Sequence, residues 1–319
     1  MPSSLRDALF VATQYILPHH LISRAVYAMT RWRTPLVEPA IRAFSKHFGV
    51  NLDEALDSDP AGYRTFNAFF TRALKPGARP LIAGDALAAC PVDGAISQLG
   101  RIEDGRIFQA KGHEYSLIEL LGGDLTRAEP FRNGSFATIY LSPRDYHRIH
   151  MPLAGTLREM VHVPGRLFSV NPVTVERVPR LFARNERVSA LFDTQEGPMG
   201  MVLVGAMNVA AIETVWSGLV TPPRGREIGV WKYGHQVQVR LERGDEMGRF
   251  NMGSTVIMLF PEGFGFRPDL KPGMPVNMGE ALAQRNHWEE TAHQTSAGEV
   301  VQGEPESLQR AAPQPGSTD

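Results

Sequence analysis

The sequence predicts an α+β protein: a helical N-terminal region followed by a predominantly antiparallel β domain, sandwich- or barrel-like. Three observations predict this class. Residues 1–75 carry apolar positions at helical spacing, interrupted by proline. From about residue 82, short β-prone runs alternate with Gly, Pro and Asp turns, without the helix-length segments that βαβ units need. Beyond residue 285 large apolar side chains become scarce. The expected organisation is therefore a helical region 1–75, a β-rich domain 76–285 and a disordered acidic tail 286–319.

The elements follow in order. Ser4 with Asp7 resembles a capping box ahead of "LFVATQYILPHHLISRAVYAMTRWR". There Leu9, Ile16, Leu21, Ile22, Val26 and Met29 are expected to form buried faces, and Pro18 to kink or break the helix. Arg24, Arg31 and Arg33, with Tyr27 and Trp32, leave one end basic and aromatic. That mixture suits either a helix lying in a lipid interface or a helical pair packed on the protein's own core, and the pattern alone favours packing. A second helical stretch, "LVEPAIRAFSKHFGV", precedes "DEALDSDPAGYRTFNAFFTRAL", and "KPGARPL" (75–81) closes the helical region. The β runs are "GAISQLGRI", "GRIFQAKG", "FATIYLSP", "GTLREMVHVPG", "MGMVLVGAMNVAAIETVW", "HQVQVRLERGD" and "GSTVIMLFPEG". "VQVRL" alternates as a half-buried strand should, whereas "VIMLF", which Gly253-Ser254-Thr255 opens, is continuously apolar, as in a buried one. "VERVPRLFARNERVSALF" reads as an irregular excursion. The tail is rich in Pro, Gly, Gln, Ser and Glu, and cannot bury enough surface to offset its ordering entropy.

Composition narrows the function classes. The chain has 319 residues, 43% hydrophobic and 21% charged, which is the profile of a soluble globular protein. A formal net charge of −1 gives no reason to expect nucleic acid, although it combines a head of +4 (residues 1–50) with a tail of −4 (residues 285–319). The single cysteine, Cys90, rules out a disulfide framework and reads as a small buried hydrophobe. No apolar run reaches the roughly 18 residues of a membrane span, and no signal peptide is recognisable at the N-terminus.

Three places combine reactive side chains with turns. "PVDGAI" holds Asp93 in an Asp-Gly pair that by itself reads as a hairpin turn. "YLSPRDYHRIHMPLAG" holds His147 and His150; two histidines without further ligands make a poor metal site, so no metal is expected. Acid–base work and solvated surface histidines both remain open. "NMGSTVIML" holds Gly253 and Ser254 ahead of the apolar run. Asp93, His150 and Ser254 could form an oriented imidazole and a nucleophile, which allows an Asp-His-Ser hydrolase. Hydrolase elbows, however, read G-x-S-x-G on a strand-to-helix turn, and this serine leads into a strand. A sheet-rich membrane-binding module, its serine only a turn residue, is a third, non-enzymatic alternative.

Taken together, "FNAFFTRALKPGARP", "PVDGAI", "KGHEY", "YLSPRDYHRIHMP", "VPGRLFSVNP", "VGAMNVAAIETVW" and "GREIGVWKYG…EMGRFNMGSTVIMLF" resemble the phosphatidylserine decarboxylase family, over about residues 64–262. One departure is Met252, where many members have leucine; the exchange conserves volume. The resemblance implies a self-processing lyase whose catalytic domain is the β-rich one. Ser254 would attack the Gly253 carbonyl, with His150, oriented by Asp93, as base. The products would be a chain 1–253 and a chain 254–319 whose first residue becomes a pyruvoyl cofactor. That ketone would form a Schiff base with phosphatidylserine and release phosphatidylethanolamine, with His147 as the candidate for decarboxylation chemistry. The implied partner is phosphatidylserine in an anionic membrane surface, reached from the cytoplasmic face by a peripheral protein, and a homodimer stays open. With a lipid substrate, surface docking becomes the preferred reading of the basic, apolar N-terminal helices.

Overall fold

Proline at position 18 divides the N-terminal pattern into helices α1 (Leu5–Ile16) and α2 (His19–Met29), because its ring and missing N–H cannot continue a helix. The structure, a computed structural model, describes residues 5–207, 211–222, 227–234 and 237–285. Ser4 of the expected capping box and the expected tail 286–319 lie outside the described residues.

The faces of α1 and α2 are opposite to the sequence expectation. Leu9, Ile16, Leu21 and Met29 are exposed, Ile22 and Val26 half-buried, while Gln14, His19 and Ser23 are buried. Hydrogen bonds explain the inversion. Gln14 Oε1 accepts from the Ser169 amide at 2.8 Å, its Nε2 donates to Thr174 Oγ1 at 3.2 Å, and His19 Nδ1 accepts from the Leu167 amide at 3.3 Å. The helices are fastened to the body through these polar groups together with Val11 and the Tyr15 ring, which packs on Phe168, leaving the other apolar positions of α1 and α2 largely outward. Among the described residues no helix is long and apolar enough to cross a membrane.

Helix α3 (Val37–Phe48) ends at Gly49, whose φ of +71° is the left-handed cap that glycine supplies without a Cβ clash. Helix α4 (Phe66–Phe70) is capped by Thr65 Oγ1, which accepts from the Ala68 amide at 3.1 Å. Val37, Ile41, Phe69 and Phe70 form a small core between the two, joined by Phe44, Phe66 and the remote Met252.

The body is a nine-stranded sheet. Its path runs Gly229–Lys232, Gly155–Val163, Arg187–Thr194, Gly197–Val204, Thr255–Phe260, Ser135–Tyr140, Gly94–Arg101 and Pro275–Val276, with Arg240–Leu241 also pairing to Gly155–Val163. Every pairing is antiparallel. Smaller antiparallel sheets flank it, one of them formed by Gly218–Leu219, Ile212–Thr214, Glu246–Phe250 and Arg148–His150. The run "TVIMLF" is the central strand. Val256, Met258 and Phe260 enter one core and Ile257 and Leu259 the other, so the sheet is covered on both faces and its strand is apolar throughout. Burying one such aliphatic side chain contributes about 1.5–3 kcal/mol, which makes this strand a firm anchor for the residue that precedes it.

Two local expectations change. "VQVRL" is strand only at Arg240–Leu241, because Gly229–Lys232 already occupies the edge from Glu159 to His162 and leaves Gly155 and Thr156 to pair. "PVDGAI" is not a hairpin: Gly94–Arg101 pairs with Ser135–Tyr140 and Pro275–Val276, and Leu87–Ala89 joins a different sheet. The irregular excursion takes in the end of a short helix at Pro172–Arg177 and the whole of one at Leu181–Arg184 before its strand. Cys90 is buried as expected, and burial pushes its thiol up to about 12.

Candidate active site

Ser254 is the last residue before the central strand, and the backbone fixes it from both sides. Its neighbour Thr255 pairs with Tyr140 on one side and Val204 on the other. The Leu141 amide donates to the Ser254 carbonyl at 2.8 Å, and the Ser254 hydroxyl donates to the Val204 carbonyl. The side chain is buried. It borders a cavity of about 270 Å³ whose walls include Phe44, Phe48, Phe70, Met252 and Gly253.

His147 lies beside this peptide. Its Nδ1–H donates to the Asp145 carbonyl at 2.8 Å, which fixes the tautomer and leaves Nε2 as the base nitrogen. Nε2 is fully buried and has no hydrogen-bond partner among the described residues, and the ring packs on Phe70 with centroids 4.1 Å apart. A Cβ built on Gly253 would fall 2.7 Å from that nitrogen, so residue 253 has to be glycine for the imidazole to approach the bond. Burial, reinforced by the positive charge of Arg72, lowers the His147 pKa to about 3. The ring is thus neutral, with the Nε2 lone pair unprotonated.

His150, in the strand Arg148–His150, is engaged elsewhere. Its Nδ1–H donates to the Gly244 carbonyl at 2.8 Å, and its Nε2 accepts from the Tyr146 hydroxyl at 3.0 Å. Burial lowers its pKa also. The orientation by Asp93 expected from the sequence is not seen among the described residues. The Asp93 carboxylate is already committed to the Arg79 guanidinium, with Nε at 2.9 and 3.0 Å from its two oxygens, and to the Met278 amide at 2.9 Å. Arg79 also holds Glu54 at 2.6 Å, and these hydrogen bonds raise its pKa. The described residues therefore bring His147, Gly253 and Ser254 together and place Asp93 and His150 in neighbouring networks, with no hydrogen bond between them.

Several participants escaped sequence reasoning. Arg79 lies in the turn-rich "KPGARPL" that marked only a boundary, and no local pattern announces its pairing with Asp93. Buried Arg72 donates to the Arg144 carbonyl at 3.0 Å and so helps hold the turn whose Asp145 carbonyl orients His147. Tyr146 sits within the quoted histidine block, and only the fold shows that its hydroxyl meets His150. The hydrolase alternative finds no support in this geometry: the serine is buried against a carbonyl and continues directly into a central strand.

Comparison with known proteins shows the family. The family model described as "Phosphatidylserine decarboxylase" matches residues 66–284, and a second, described as "PSD", matches residues 9–49. Relatives named phosphatidylserine decarboxylase proenzyme include that of Stutzerimonas stutzeri (strain A1501), 59% identical over 284 residues, covering 88% of this chain and 95% of the relative. That of Pseudomonas aeruginosa (strain LESB58) is 60% identical over 284 residues, covering 88% and 98%. That of Pseudomonas fluorescens (strain Pf0-1) is 57% identical over 286 residues, covering 88% and 100%. With its serine at the head of the central strand and a neutral imidazole against the preceding glycine, the chain belongs to the phosphatidylserine decarboxylase family.

Proposed function

We propose that the chain cuts itself between Gly253 and Ser254, converts Ser254 to a pyruvoyl group and then decarboxylates phosphatidylserine to phosphatidylethanolamine at a membrane surface. The observation that carries this reading is the Nε2 of His147, without a hydrogen-bond partner among the described residues and held against Gly253, next to a serine that the central strand immobilises.

The cut is written on these atoms. The Ser254 hydroxyl oxygen adds to the Gly253 carbonyl carbon, the C–N bond breaks, and the hydroxyl proton ends on the freed amine, giving an ester. Removal of the Cα proton of residue 254 expels Gly253 as a carboxylate and leaves dehydroalanine. Its imine tautomer takes up water and releases ammonia, leaving a ketone. His147 is the imidazole nearest to these atoms, with Nε2 turned towards residue 253, so by position it suits proton transfer in the cut and beside residue 254 afterwards. His150 and Asp93 remain our maturation pair, acting from behind. His150 holds the Gly244 carbonyl and pairs with Glu246 at the start of the strand that leads to the cut. Asp93 and Arg79 fix the adjoining turn.

The pyruvoyl ketone supplies an electrophilic carbonyl that no standard side chain has, able to take up a substrate amine and accept the electrons left by CO₂. The residues present fit such a group: residue 254 borders the aromatic-walled cavity, and His147 stands beside it. Docking follows from the inverted N-terminal helices, whose exposed Leu5, Leu9, Ile16, Leu21 and Met29, with Trp32 and Leu36 in the connection that follows, suit the acyl boundary. Arg24, Arg31 and Arg33 lie in the same region and suit anionic headgroups. We assign the protein to the cytoplasmic face of a membrane, peripherally bound.

Intact mass under denaturing conditions tests the reading. The expected result is two fragments, 1–253 and 254–319, the smaller with a borohydride-reducible N-terminus. A full-length chain that turns over phosphatidylserine would overturn it.

A further inference from the structure

The residue before the scissile glycine has a backbone that its side chain disfavours. Met252 has φ +96°. Three other described non-glycine residues have positive φ, namely Asp104, Lys111 and Arg180, and they lie at 46–54°, close to the small left-handed basin open to L-residues. Met252 lies well beyond it, where a Cβ is strained.

Two separate bodies hold this conformation. On the C-terminal side, Ser254 and Thr255 are locked into the nine-stranded sheet. On the N-terminal side, the grip comes partly from the α3–α4 lobe. Asn67 Nδ2 in α4 donates to Asn251 Oδ1 at 3.0 Å, and the Met252 side chain packs on the core of Val37, Ile41, Phe69 and Phe70. Asn251 is itself buried, its amide donating to the Ala211 carbonyl at 2.8 Å and its Nδ2 to Glu213 Oε2 at 3.3 Å. Met252 therefore bridges two anchored segments with no slack to relax. Once the bond after Gly253 is cut, residues 252 and 253 become a chain end, and the constraint from the sheet disappears.

We propose that the α3–α4 lobe is a clamp that keeps Met252 strained in the precursor, and that release of this strain speeds self-cleavage. Asn67 and Met252 are positioning residues for maturation. The inference rests on the self-cleavage reading above and adds the source of part of its driving force.

Precursor made by cell-free translation, with conversion followed on denaturing gels, tests it. The informative pair is Met252→Ala and Met252→Gly. Both lose the side-chain packing, but only glycine is at ease at this φ. In the uncut Ser254→Ala background the glycine variant should melt at least as high as the alanine variant. In the cleavable background it should cleave roughly 5- to 30-fold more slowly than the alanine variant. A purely structural role predicts the reverse order of rates. Met252→Leu should cleave like the wild type, and Asn67→Ala more slowly. Glycine cleaving as fast as alanine, or Asn67→Ala cleaving at the wild-type rate, would overturn the clamp while leaving self-cleavage intact. A wild-type precursor that never cleaves would overturn both.

Discussion

The Nε2 atom of His147 occupies the space that a side chain on Gly253 would need, with a Cβ at 2.7 Å from it. Gly253→Ala must therefore displace a fully buried imidazole held by Asp145 and Phe70. We expect this variant to accumulate as the uncut chain, with conversion slowed at least about 100-fold, the scale of a 1 Å misplacement of reacting groups. Intact mass after a time course measures it.

The two histidines should separate by the step they affect. His147→Ala removes the imidazole at the reacting atoms, and both conversion and decarboxylation per pyruvoyl group should fall by roughly 100-fold or more. His150→Ala removes a group held by Gly244 and Tyr146. It should slow conversion mainly, with near-normal turnover in the fraction that does mature. Borohydride titration of the ketone gives the denominator; equal losses in both steps for His150→Ala would contradict the division.

Buried neutral histidines make the precursor acid-sensitive. The His147 pKa is lowered from 6.5 to about 3 by burial, and those of His150 and His19 are lowered by the same cause. Below pH 6.5 the unfolded chain binds protons that the folded chain refuses. The stability is present above that pH and is lost as pH falls towards 3, at roughly 1.4 kcal/mol per pH unit for a single such group. Urea unfolding of the uncut Ser254→Ala protein should show this slope, and adding His147→Gln should flatten it. An unchanged slope would show that His147 is not held neutral by the fold.

Lipid attachment should depend on the outward stripe of α1 and α2. Leu9→Glu with Leu21→Glu places charges at exposed positions, 63% and 68% accessible, so folding should survive. Binding to vesicles containing phosphatidylserine, read by co-sedimentation, should drop about tenfold or more, while conversion to two fragments proceeds. Undiminished co-sedimentation would refute docking through this stripe.

How far the sequence revealed all this depended on whether a signal was local. The central strand was legible because a continuous apolar run can only be a strand covered on both faces or a buried helix, and its length and β-branched content decide for strand. The break at Pro18 was legible for an equally local reason. The orientation of α1 and α2 was not. Periodicity reports that a stripe exists, but which medium it faces was settled by Gln14 and His19 bonding to Ser169, Thr174 and Leu167, about 150 residues away. Likewise Asp93, Ser254 and the histidines stood out by residue type. The partner of Asp93, Arg79, looked like any cation in a turn, and the nearness of His147 to Gly253 depends on ring orientation, which spacing does not encode.

The central strand has a consequence for the life history of the molecule. It is hydrogen-bonded along its length to Ser135–Tyr140 on one edge and Gly197–Val204 on the other. A chain severed just ahead of it, as proposed above, would keep its shape, because the new fragment would be a plank in the middle of the floor. The same plank explains why the mature protein, once unfolded, is a different folding problem from its precursor. Two separate polymers would have to meet, and one would have to insert between strands that by then can close on each other. The precursor solves that problem while it is still one chain, so folding has to precede the cut, and the finished enzyme carries a structure that its separated pieces have no unimolecular route to regain.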